Sequence, residues 1–78
     1  VQLAAARSEE AARAEWQRLA ARVPELQGRT PAVTRLEREG QPTLFRLRTA
    51  GFQDAAAARQ FCEALQARQA SCIVIGAN

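Results

Sequence analysis

Apolar and polar positions divide the chain into six segments. Val1-Gln2-Leu3-Ala4-Ala5 starts by alternating and predicts a short strand. Ser8 suits a helix N-cap, and Glu9 and Glu10 follow where the helix dipole favours negative charge. Ala12, Trp16, Leu19 and Val23 then fall on one face of a helix that Pro24 brings to its end. Residues 27–31 read as a loop and 32–37 as a second strand. A turn over residues 38–42 joins it to a third strand, Leu44 to Thr49, as a hairpin. Asp54 is a second N-cap, and Ala58, Phe61, Cys62 and Leu65 form the apolar face of a helix ending near Arg68. Cys72-Ile73-Val74-Ile75, rich in β-branched residues, is the predicted fourth strand.

The predicted order is therefore βαββαβ. The two halves are weakly alike: Ser8 matches Asp54 and Leu19 matches Leu65 at a constant offset of 46. Two such halves with right-handed crossovers give an α+β fold of the ferredoxin or RNP kind. It has a four-stranded antiparallel sheet, strands 1 and 3 at its centre, and both helices on one face. The other sheet face is left open.

Composition tempers this picture. The hydrophobic share is 47%, but 18 of those residues are Ala, leaving 19 larger apolar residues among 78. One small domain spanning residues 1–78 is expected, with a modest core near the margin of stability. No run of 18 apolar residues occurs, so no membrane contact is expected within this stretch. A chain opening at Val1 directly on strand-like sequence reads as a segment of a longer protein, with any signal peptide or anchor upstream.

Net charge is +3, and all 11 basic residues are Arg. Most alternate with Glu along the helices and read as solvated faces. The chain has no His and no Tyr, no Cys/His cluster with zinc spacing and no phosphate-binding glycine motif. A non-catalytic module without metal or cofactor is expected.

Strict alternation places Phe45 and Leu47 inward and Arg46 and Arg48 outward. The same rule points Val1 and Leu3 inward and Gln2 and Ala4 outward. The open face of the central strands would then present Gln2, Ala4, Arg46 and Arg48, suited to an extended polar ligand; an ordinary solvated sheet face is the alternative. Trp16 is placed on the core side by its helical spacing, with ligand contact the alternative, and Phe52 is expected to pack at the entry of the second helix, with capping the edge of the site the alternative. Cys62 and Cys72 can pair if Cys72 and Val74 point inward, and cannot if Ile73 and Ile75 do. The even count and the path of the strand under the helix favour a disulfide, hence an oxidising compartment.

These residues resemble a known family. Val1-Gln2-Leu3-Ala4-Ala5 resembles the V-Q-L-G-S/A-F opening strand of SPOR domains, the sporulation-related repeat of bacterial envelope proteins. Residues 45–52, Phe-Arg-Leu-Arg-Thr-Ala-Gly-Phe, resemble the family's Y-R-V-R-V-G-P-F segment, and each helix resembles its counterpart. The resemblance spans nearly the whole chain and implies the βαββαβ fold. It also implies a periplasmic or cell-envelope module, enriched at the septum, that binds peptidoglycan glycan strands lacking stem peptides. Carried over by position, the implied glycan-binding set is Gln2, Ala4, Ala5, Ser8, Arg46 and Arg48. Ala4, Ala5 and Ala6 replace the family's Gly, Ser and aromatic residue, and Ala50-Gly51 replaces its Gly-Pro. A monomer is expected. Two other functions compete: single-stranded RNA binding, which shares the topology but needs aromatic rings on strands 1 and 3, and pairing with another protein through an edge strand or the sheet face.

Overall fold

A computed structural model describes residues 1–75. Its elements are β1 (Gln2–Ala6), α1 (Glu9–Arg22), a 3₁₀ turn (Pro24–Leu26), β2 (Pro31–Leu36), β3 (Leu44–Thr49) and α2 (Ala55–Ala67). Both helices begin where side-chain chemistry favours it. Ser8 Oγ accepts from the Ala11 amide at 3.0 Å, and Asp54 Oδ1 accepts from the Ala57 amide at 2.8 Å. α1 ends as its axis meets Pro24, which opens the 3₁₀ turn that buries Leu26.

The sheet is antiparallel in the order β1-β3-β2. β2 and β3 form the expected hairpin, paired from Pro31↔Thr49 to Leu36↔Leu44. Gly40 takes the positive φ of 73° that the connecting turn requires. Leu3 and Leu47 meet Ala12 and Leu19 of α1 and Cys62 and Leu65 of α2 in one core, so both helices cover the same face. Trp16 and Phe45 lie half-buried against this core, Trp16 in its expected packing role. Thr49, the one buried polar residue among those described, donates its hydroxyl to the Thr30 carbonyl at 3.0 Å.

Two expectations are corrected. The fourth strand is not formed among the described residues; the sheet has three strands, and Ile73 makes an isolated antiparallel bridge to Gln2. Extending that bridge inward would pair Cys72 with Leu3. Leu3, however, lies at a β-bulge, and Cys72 is drawn toward α2. The second correction follows from the same bulge. Gln2 opposes Arg48, but Ala4 opposes Leu47 and Ala5 opposes Arg46. The extra residue shifts the phase of β1, so Ala4 packs against the core and Ala5 takes the outward position.

Cys72 faces inward and is buried, as is Cys62. Their Cα atoms are 5.1 Å apart and their sulfurs stand at disulfide distance, 2.04 Å. The inward alternative for Cys72 is thereby the one adopted.

Candidate functional site

The helix-free face carries its polar groups in rows across the strands. Gln2, Arg48 and Ala32 form one row; Ala5, Arg46 and Thr34 form the next. Arg46 lies between Ala5 and Thr34, and Arg48 between Gln2 and Ala32. Among the described residues neither Arg46 nor Arg48 has a carboxylate partner, whereas Arg13, Arg18, Arg35 and Arg68 each have one. Arg48 Nε is buried without a hydrogen-bond partner, a donor whose desolvation nothing in the fold offsets.

The six residues carried over by position do not all meet on this face. Gln2, Ala5, Arg46 and Arg48 share it. Ala4 lies on the core side, and Ser8 spends its hydroxyl capping α1 at the end of β1.

Four contributors were not singled out by sequence. Thr34 and Ala32 of β2 border the arginines, and the Leu44–Leu36 pair continues the face at its hairpin end. The alternation of Pro31–Leu36 against Leu44–Thr49 held that information once the hairpin register was assigned.

Beside the face, Arg29 organises the segment leaving β3. Its guanidinium carbon lies 4.1 Å from the Phe52 ring centroid and 4.7 Å from that of Phe61, and Nη1 donates to the Ala50 carbonyl at 3.0 Å. The two rings are 5.0 Å apart, so Phe52 packs as expected and Arg29 sits on the pair as a cation on aromatic faces. Gly51, at φ 96°, supplies the left-handed turn between them. A cleft of about 550 Å³ opens where α2 begins, lined by Phe52, Asp54, Ala58, Val74 and Ile75; neither Arg46 nor Arg48 lines it. Among the described residues no cluster of metal-ligating side chains occurs, and no helix is long and apolar enough to cross a membrane.

Sequence comparison joins this geometry at one point: the SPOR domain profile matches residues 1–76. The chain belongs to the SPOR domain family. SPOR domains bind peptidoglycan, are generally non-catalytic and are associated with the cell envelope and division septum. Neither the curated proteins nor the solved structures compared with the chain return a match.

Proposed function

We infer that this SPOR domain grips glycan strands stripped of their stem peptides and so directs the protein that carries it to the septal wall. One observation supports the reading above the others: Arg46 and Arg48 stand on the open face without carboxylate partners, beside Gln2. Muramic acid units of a denuded strand carry free lactyl carboxylates. A guanidinium binds such a group through charge-assisted, bidentate hydrogen bonds. Gln2 donates to and accepts from sugar hydroxyl or acetamido groups. A stem peptide converts the carboxylate to an amide, which removes the charge and adds bulk over a shallow face. The preference for denuded strands follows from that chemistry.

The test is sedimentation with purified sacculi before and after amidase treatment. Amidase treatment is expected to increase binding. Arg46→Ala with Arg48→Ala is expected to weaken it by about tenfold to a hundredfold, the loss of one or two charge-assisted bonds. Unchanged binding by that double variant would refute the reading. RNA binding is the poorer reading, because Phe45 and Trp16 pack on the core and Phe52 and Phe61 stack under Arg29. Salt-sensitive capture of single-stranded RNA would reverse that judgement.

The envelope location is supported by the cysteine pair, which suits an oxidising compartment. A free-thiol assay on unfolded, non-reduced protein is expected to find none; two thiols would count against both the bond and the compartment.

A further inference from the structure

Ile73 is the most exposed large apolar side chain among the described residues, with 55% of its surface open. Two independent features put it on the ligand face. It bridges Gln2, with Gln2 N–H donating to the Ile73 carbonyl at 2.8 Å and Ile73 N–H to the Gln2 carbonyl at 2.9 Å. Partners in such a pair project to the same side, about 5 Å apart. Its neighbour Cys72 is buried in the core beneath, so Ile73 must face away from the helices. The first row of the face therefore reads Ile73, Gln2, Arg48, Ala32.

The order of that row has chemical content. An exposed aliphatic group lies beside a primary amide, and the amide lies beside a cation. Given the glycan ligand inferred above, on which this rests, we propose that Ile73 is a specificity-determining residue that receives the methyl group of a sugar acetamido substituent while Gln2 hydrogen-bonds its amide. An acetamido group needs that adjacency: a polar N–H and C=O on one side and a methyl on the other, within the spacing of neighbouring strands. The Leu44–Leu36 pair offers apolar surface too, but its neighbours on the face are Arg46 and Thr34, with no amide beside it. Ile73 thus makes the face sensitive to the acylation state of the amino sugars, separately from the carboxylate that Arg46 and Arg48 would hold.

The experiment uses the full chain and denuded strands that have been de-N-acetylated and then re-acylated with either acetyl or formyl groups. The two polymers have the same charge and differ by the methyl. Wild type is expected to prefer the acetyl polymer about fourfold, the value of one buried methyl group. Ile73→Thr keeps the β-branched shape that the bridge favours but makes the contact polar, and is expected to bring the ratio near one. Arg46→Ala is expected to weaken binding to both polymers and leave the ratio unchanged. Equal wild-type binding to the two polymers would overturn the role of Ile73 while leaving the glycan reading intact. So would a fourfold ratio that survives Ile73→Thr, since the methyl would then rest elsewhere. No binding of wild type to either polymer would remove the glycan reading, and the role of Ile73 with it.

Discussion

The two halves of the domain begin alike and finish differently. In each, a strand leads to a capped helix, with the cap oxygen accepting from the third amide onward. The first half then returns through β2, paired to β3 along six positions. The second half returns through residues 72–75, paired to β1 at Ile73 alone. β2 is also guarded as an edge, with Pro31 at its start and the Arg35–Glu37 ion pair, 3.2 Å, at its end. Residues 69–75 carry no charge. Where a ladder holds the chain, hydrogen bonds and side-chain alternation suffice. Where the ladder stops after one bridge, the Cys62–Cys72 pair and the Gln66 Nε2 donation to the Cys72 carbonyl at 3.0 Å hold the segment instead.

Replacing both cysteines by alanine tests that contrast with the largest expected effect. Opening an 11-residue loop should lower stability by about 3 kcal/mol, a large share for a core whose fully buried large residues are Leu3, Leu26, Leu47, Leu65 and Val23. Thermal melting with and without reductant measures the loss. Hydrogen exchange locates it: the Gln2 and Ile73 amides are expected to lose protection beyond the global change, whereas the Val33–Leu47 region of the hairpin is not. Uniform loss across both halves would mean that the segment is held by the common core and not by the cross-link.

The caps offer a smaller test. Both belong to long, solvated helices, but their electrostatic surroundings differ. α1 keeps Glu9 and Glu10 in its first turn, while α2 has no acidic residue there apart from its cap. Removing Asp54 should therefore cost about 1.5 kcal/mol and removing Ser8 about 0.7 kcal/mol, by alanine substitution and denaturant titration. Asp54→Asn keeps the acceptor but loses the charge, and should fall between Asp54→Ala and wild type. Equal losses at the two caps would show that the dipole contributes nothing to the difference.

The parts of this architecture written in local chemistry were legible in the sequence. β3 runs from Leu44 to Thr49 as alternation predicts, and Ser8 and Asp54 cap as their oxygens predict. The misreadings lie where one position depends on distant ones. Alternation in β1 cannot reveal that two residues, Leu3 and Ala4, oppose the single Leu47, so it points Ala4 to the outward position that Ala5 holds. Cys72-Ile73-Val74-Ile75 is apolar at every position, so pattern alone leaves its inward side open; the cross-link to Cys62 and the bridge to Gln2 decide it. The 3₁₀ turn that buries Leu26 has only Pro24 as a local signal, and the stack of Arg29 on Phe52 and Phe61 joins residues far apart in the chain. At the candidate site the arginine row was readable from β3, but its neighbours came into view only with the register.

The smallest effect expected has the opposite sign and lies between α2 and the weakly paired segment. Gln69 has φ 63°, a left-handed conformation that favours glycine. It occupies the position just past the cap of α2, with Ala70 N–H donating to the Leu65 carbonyl and Gln69 N–H to the Gln66 carbonyl, each at 2.9 Å. This is the Schellman arrangement, completed by packing of buried Ala70 near Leu65. The exit of α1 has no such requirement, because Val23 is extended at φ −115° and Pro24 follows. Gln69→Gly relieves the left-handed strain but gives the unfolded chain more freedom. The difference should leave the domain more stable by about 0.5 kcal/mol, visible as a small rise in melting temperature. The rise should persist in the cysteine-free variant, because the helix exit is closed by its own hydrogen bonds. If the gain vanished without the cysteines, the left-handed turn would be imposed by the cross-link, and the two attachments of the second half would be one.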